Sequence, residues 1–212
     1  MIEDNIRVLR QAAKASTSNG YKIEKTWCVI AGNADLIDEM AYKAIASNHS
    51  IKILFREHVI LNDGSLDKKF DFIMLYGNAI LIDQFKNTSR QCGGACVRIS
   101  RNYLTDEPNL MVFIAPHDTI KNTVATLEKS RIPFAIIQES QTTGFIDIDF
   151  SNEVKLPNFV KSALKPFYNV NEVVLSTILL SVDNDEDIGK VQSIATSNRI
   201  FVIDFKDIVT ED

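Results

Sequence analysis

Two spacings of apolar residues run through the 212-residue chain: the three-to-four-residue step of helices and the short runs of strands. Ile6, Leu9 and Ala13 predict a short helix over Ile2–Ala15, followed by a strand over Tyr21–Ala31. Asn33 then suits a helix N-cap, because its side chain can accept a backbone N–H that the first turn leaves unpaired. Leu36, Ile37, Met40, Ala41, Ala44 and Ile45 form the apolar face of the helix it opens. A strand over Ile51–Leu61 ends at the turn residues Asn62-Asp63-Gly64. Beyond the centre of the chain, the pattern predicts a helix over Ala95–Leu104, a strand over Leu110–Ala115, a helix over Asp118–Lys129 and a strand over Phe134–Ile137. Residues 141–171, punctuated by Pro157 and Pro166, read as irregular. A strand over Val173–Val182, a helix capped by Asp183 and running through Thr196, and a strand over Ile200–Asp204 complete the order. This is a mixed α/β arrangement, not a simple alternation of parallel units. Leu110–Ile137 and Thr177–Asp204 loosely share a strand–helix–strand pattern.

The stretch from Phe70 to Lys86 carries the most chemistry. Two apolar runs flank Gly77-Asn78, a pair that favours a tight hairpin turn because both residues tolerate positive φ. With Gly77 and Asn78 as the loop, Asp71 falls opposite Gln84, and Lys86 shares their face. A carboxylate, an amide oxygen and an ammonium then converge at the open end of one hairpin. A metal-dependent phosphodiesterase needs that convergence: the acid holds a divalent cation and the lysine orients a water or stabilises phosphate charge. The same residues suit a plain amphipathic hairpin with polar residues at its frayed end. A three-residue loop or a bulge would break the alignment.

Composition adds bounds. Apolar residues make up 45% of the chain and charged residues 24%, the balance of a globular protein. No apolar run reaches the length of a membrane span and MIEDNIRVLR lacks a signal-peptide pattern, so the cytoplasm is the expected compartment. Three cysteines, Cys28, Cys92 and Cys96, form no disulfide framework. Cys92 and Cys96 would supply half a zinc site, with His117 the nearest further candidate, which is short of four ligands. Net charge is -5, unfavourable for non-specific nucleic-acid binding. Yet residues 51–101 hold eight Lys/Arg against five acids, so basic density gathers around the expected hairpin.

From Ala34 to Ile137 the chain resembles the PD-(D/E)xK nuclease superfamily, the fold of many restriction endonucleases. The resemblance rests on a helix bearing Asp38 and Glu39, on Asp71, and on Gln84-Phe85-Lys86, a Q-x-K variant similar to that of Mrr-type enzymes. The strand–helix–strand that follows fits the same order, whereas Phe70 stands where Pro or Gly-Ile is usual and Gln84 replaces the commoner Glu. The resemblance implies a restriction-endonuclease-like mixed β-sheet flanked by helices, with a C-terminal strand–helix–strand extension. It implies one nuclease-like domain, with a core over about 34–140 and an elaboration over about 141–212. It implies a Mg²⁺-dependent (or Mn²⁺-dependent) DNA endonuclease, probably too acidic elsewhere to hold DNA except through the basic segment, and acting as a homodimer on a palindrome. Asp71 and the Phe85 carbonyl would hold the ion, Gln84 would assist, Glu39 would act through water, and Lys86 would help activate the attacking water.

Other residues fit bland roles as well as functional ones. By strand parity Asp83 faces away from Lys86 and would pair with an arginine or cap a helix. Glu57 shares parity with Ile53, Phe55 and Val59 and would pair with a buried arginine. Arg90, Arg98 and Arg101 would contact phosphates or base edges, and Gly93-Gly94 would admit a DNA backbone. Asp183–Asp187 resembles the start of an EF-hand loop but places Ile188 where the loop needs glycine, so helix capping explains it better. Two rival readings stand beside the endonuclease: a nuclease-fold binding or interaction module with a weakened site, and a Rossmann-like ligand binder, which lacks its glycine fingerprint.

Overall fold

In a computed structural model of the chain, the described residues are 24–47, 49–62, 67–101, 104, 109–145, 147–149 and 172–209. The helix expected over Ile2–Ala15, the turn at Asp63-Gly64 and most of the stretch 141–171 lie outside them. The first unit runs β1 (Lys25–Gly32), α1 (Ala34–Ala46), β2 (Ile51–Asn62), β3 (Asp67–Asn78), α2 (Ala79–Gln91) and β4 (Ala95–Ser100). The second runs β5 (Leu110–Pro116), α3 (His117–Lys129), β6 (Phe134–Phe145), β7 (Asp147–Asp149), β8 (Glu172–Val182), α4 (Asp185–Ser197), β9 (Phe201–Asp204) and α5 (Lys206–Val209).

The hairpin expected across Gly77-Asn78 is not formed. Asn78 ends β3 and caps α2, its side chain accepting from the Ile80 and Leu81 N–H groups at 2.9 and 3.4 Å. The run Ala79–Ile82 is short enough to suit a strand or a helix. The residues beyond it decide, because Leu81, Ile82, Phe85 and Ser89 recur at helical spacing and are all buried. Gly77 is needed for close approach instead of a turn: a Cβ there would lie 2.3 Å from the Ser50 carbonyl oxygen. The helix expected over Ala95–Leu104 is likewise β4, antiparallel to β1, with Val97 and Ile99 on one face and Cys96 on the other. Asn33 caps α1 as expected, accepting from the Leu36 N–H at 2.9 Å.

Each unit has βαββαβ order, the split-βαβ arrangement. Its strands are antiparallel in the orders β2-β3-β1-β4 and β6-β8-β5-β9. The two units correspond closely. α1 and α3 both have 13 residues, and β2 and β6 both have 12. β2 and β6 each carry a bulge at the fourth residue, Leu54 and Ile137. The repeat therefore relates β1–β4 to β5–β9, not the two halves of the second unit as the sequence pattern suggested. The boundary expected near residue 140 falls inside β6, and the change of sheet falls between β4 and β5.

Helices lie on one face of each sheet only. Leu36, Ile37, Met40, Leu81, Ile82 and Phe85 pack α1 and α2 onto Cys28, Ile30, Ile73 and Leu75. Ile120, Leu127, Val191 and Ala195 pack α3 and α4 onto Met111, Phe113, Ile178 and Leu180. The remaining faces meet each other: Trp27, Val29, Phe72 and Met74 share one core with Val112, Ile114, Leu179 and Ile203. The result is four layers, α/β/β/α. The sheets are also tied at one side. The Gln138 amide accepts from the Arg98 N–H at 3.2 Å and donates to the Arg98 carbonyl at 2.6 Å, while Ser140 Oγ accepts from the Cys96 N–H at 3.0 Å. These side chains occupy backbone groups that edge strand β4 would otherwise leave unpaired. No helix among the described residues is long and apolar enough to cross a membrane.

Because one core serves both sheets, the units should unfold together. Trp27, the sole tryptophan, sits in that core 5% exposed. Its fluorescence and the far-ultraviolet circular dichroism should lose signal in one coincident denaturant transition. Phe72→Ala should lower stability by roughly 3–5 kcal/mol. Separate transitions for the two probes would show that the units are held apart.

Candidate functional site

Asp71 is the one carboxylate of the expected nuclease set that is buried, with a side chain 8% exposed. It stands on the helix-covered face of β3, opposite Gly32 of β1 and His58 of β2, where β1 passes into α1. Gln84 is not its cross-strand neighbour, because Gln84 lies on α2.

What surrounds Asp71 is set by the bulge in β2. Ile51 and Ile53 face the helices. If parity continued, Phe55 would face them too. Leu54 is the extra residue between the pairs Ile53↔Leu75 and Phe55↔Met74, and it exchanges the faces. Phe55 and Val59 therefore enter the inter-sheet core, while Arg56 and His58 turn toward the helices and meet Asp71. Arg56 Nη2 donates to Asp71 Oδ2 at 3.0 Å, and His58 Nδ1 lies 2.7 Å from Oδ1. Arg56 Nη1 donates to Asp38 Oδ1 of α1 at 2.6 Å. These two carboxylates, Asp71 foremost, raise the Arg56 pKa against the opposing effect of its partial burial. Glu57, on the other side of the bulge from Ile53, is exposed and does not share that residue's face.

Both oxygens of Asp71 are thus engaged by nitrogen groups. A cation would have to displace a guanidinium to reach them. Among the described residues no group of three or more His, Cys, Asp or Glu side chains is placed to hold a metal ion.

The other expected residues are dispersed. Gln84 is exposed on α2, Phe85 is 7% exposed beneath that helix, and Lys86 is half-buried with its carbonyl 3.6 Å from Cys96 Sγ. Glu39 pairs along α1 with Lys43 at 2.5 Å. Arg98 Nε lies 3.2 Å from Asp83 Oδ1, near enough for an ion pair but not aligned as a hydrogen bond. Arg90 is exposed in the last turn of α2, and Arg101 is exposed just past β4. Gly93 ends α2 with φ 80°, and a Cβ on Gly94 would collide with Ser89 and Leu36, so this pair serves packing. Cys92 is exposed while Cys96 is buried.

The second unit holds a polar cluster at the corresponding place, which the sequence pattern had not marked. Ser176 pairs with Ala115 and Gln141 as Asp71 pairs with Gly32 and His58. His117 Nδ1 lies 3.0 Å from Ser176 Oγ and 3.8 Å from Glu139 Oε1. Serine, histidine and glutamate do not form a proton relay here, since both partners address the same ring nitrogen and Ser176 is fully buried. The only trace of either cluster in the sequence is polar residues placed beyond a bulge.

No protein-family model matches this chain, and no curated protein matches it in sequence. Among solved structures, an unknown protein from Galdieria sulphuraria is 12% identical, with 85% of this chain and 96% of that one covered at a TM-score of 0.29. A putative glycine cleavage system transcriptional repressor is 10% identical over 85% and 95% at 0.26. Protein BT0572 from Bacteroides thetaiotaomicron is 10% identical over 85% and 92% at 0.27. Likenesses at this level carry no argument about the chain.

Two outcomes follow from the geometry. Arg56→Met should destabilise the fold by roughly 1–3 kcal/mol, because it leaves the buried Asp71 with His58 alone while solvent takes over part of the lost interaction. In the Asp71→Asn background the same substitution should cost distinctly less; equal costs in both backgrounds would show that the pair is not coupled. For the thiols, burial pushes Cys28 well up, with Cys96 nearby adding to the rise, and burial pushes Cys96 up as well. A thiol reagent at pH 8 should modify Cys92 alone in the native protein and all three only after unfolding. Rapid native modification of two or three thiols would contradict the buried placements.

Proposed function

We propose that this chain is a binding or interaction module built from two βαββαβ units, and that Asp71 serves architecture instead of catalysis. One observation carries the reading: the buried Asp71 carboxylate has both oxygens engaged, by Arg56 and His58. A metal-dependent hydrolase keeps such an acid available to its ion and places a lysine at the same centre. Here the lysine of the Q-x-K stretch belongs to a different element, α2. The Asp38–Arg56–Asp71 chain instead joins α1 to strands β2 and β3.

A Mg²⁺- or Mn²⁺-dependent DNA endonuclease of restriction-endonuclease-like type, working as a homodimer, is the second reading. It is favoured by a buried acid on a strand beside a second acid, Asp38, on the adjacent helix. In that reading Asp71 binds the ion after Arg56 withdraws, and exposed Arg90 contacts phosphate.

Supercoiled plasmid separates the two. The purified chain should leave it intact in Mg²⁺ and in Mn²⁺, and Asp71→Ala and Lys86→Ala should alter stability without altering that result. Metal-dependent nicking by the wild type that disappears in Asp71→Ala would establish the endonuclease and overturn the module.

A further inference from the structure

The seam between α3 and α4 carries two residues that packing does not explain. α2 and α4 hold equivalent places in their units, and each has 13 residues. Laid side by side, Ile82 corresponds to Ile188, Phe85 to Val191 and Ser89 to Ala195. All six are buried or packed against the core beneath their helices. The correspondence fails at Leu81, a core residue 4% exposed whose counterpart is Asp187, and at Asp83, whose counterpart is Gly189. A glycine inside a helix weakens it relative to alanine. Nothing in the fold requires one at 189, since a Cβ added there would meet no atom within 4 Å.

The missing side chain opens onto a groove of about 500 Å³, bounded by Arg131, Ile132, Asp187, Lys190 and Ile194 as well as Gly189. That volume lies within the range of small-ligand sites, roughly 300–1,000 Å³. Its charges are unequal. Lys190 Nζ donates to Asp187 Oδ1 at 2.6 Å, and this pair is neutral. Arg131, at the rim, is exposed and makes no side-chain hydrogen bond or ion pair among the described residues. Its backbone is pinned past the end of α3 with φ 55°, the N–H donating to the Glu128 carbonyl at 3.0 Å. One uncompensated guanidinium is therefore presented from a fixed position, beside isoleucine side chains.

We propose that this groove binds a small aliphatic carboxylate, its oxygens on the Arg131 guanidinium and its hydrocarbon chain over Gly189 against Ile132 and Ile194. Guanidinium matches a carboxylate in a two-pronged geometry. A single free cation suits a monoanion, because Asp187 repels a second negative charge. The floor at Gly189 gives the hydrocarbon the space that a side chain would take. This site is separate from the Asp71 cluster, and the proposal does not depend on how that cluster is read.

Hexanoate, hexan-1-ol and inorganic phosphate, titrated into the ¹⁵N-labelled full chain, test it. Hexanoate should shift the amide signals of residues 130–132 and 189–194 in a saturable way. Hexan-1-ol and phosphate should bind at those amides at least roughly tenfold more weakly, since each lacks one half of the match. Arg131→Gly retains a residue suited to positive φ and should weaken hexanoate by roughly tenfold. Gly189→Leu places a side chain in the groove, favours the helix, and should abolish the shifts. The proposal is overturned if hexanoate leaves these amides unmoved, if hexan-1-ol or phosphate matches it, or if Arg131→Gly binds it as the wild type does.

Discussion

Each sheet of this protein has helices on one face only, and its other face is apolar. A βαββαβ unit supplies two helices, and both cross on the same side. The bare faces present Trp27, Phe72 and Met74 from one sheet and Val112, Ile114 and Leu179 from the other. Water is a poor environment for either surface, so the sheets stack and form a third core between the two helix-covered ones. The rest of the arrangement follows from that stacking. The edge of β4 comes beside β6, where Gln138 and Ser140 can occupy its backbone groups. β7, a segment of the second unit, pairs with β3 of the first. Trp27 packs edge-on against Phe205, beyond the last strand. The four-layer body is therefore one cooperative structure, although its two halves repeat a topology.

Repetition makes the differences between the halves informative. Corresponding positions share one backbone environment, so a change of residue type cannot be attributed to the fold alone. Asp71 and Ser176 stand at the same strand position, and each unit answers it with polar groups from the bulged strand: Arg56 and His58 in one, Glu139 and Gln141 in the other. The first unit holds a buried charge and pairs it; the second holds a hydroxyl and needs only His117. Both arrangements satisfy a polar atom beneath a helix, by different chemistry. The α3–α4 seam departs further, because Asp187 and Gly189 replace residues that close the corresponding seam in the first unit.

Much of the secondary structure was legible in the residues. The Asn33 cap, the faces of α1, α3 and α4, and the strands β5, β8 and β9 carry unambiguous periods. Two elements were not legible, for a common reason. Gly77-Asn78 offers the same two residues to a type I′ turn and to a strand end followed by an N-cap, and only the burial of Phe85 and Ser89 further on distinguishes them. Ala95–Ser100 is too short for its apolar residues to separate a period of two from one of three and a half. The bulges left still less trace. Leu54 and Ile137 each sit in an apolar run where one extra residue changes no composition and reverses every later side chain.

That reversal decides what Asp71 does. An acid inside an apolar strand signals a strong local interaction, because an isolated buried carboxylate is too costly to keep ionised. The signal does not name the partner. A divalent cation and a guanidinium both offset the cost, and both prefer oxygens in a partly water-excluded place. In this protein the choice was made on the neighbouring strand. Without the extra residue at Leu54, Arg56 and His58 would point into the inter-sheet core and Asp71 would face the helices with no nitrogen partner from β2. With it, the carboxylate is satisfied before any ion arrives, and the position that resembled a metal ligand becomes a joint between α1, β2 and β3.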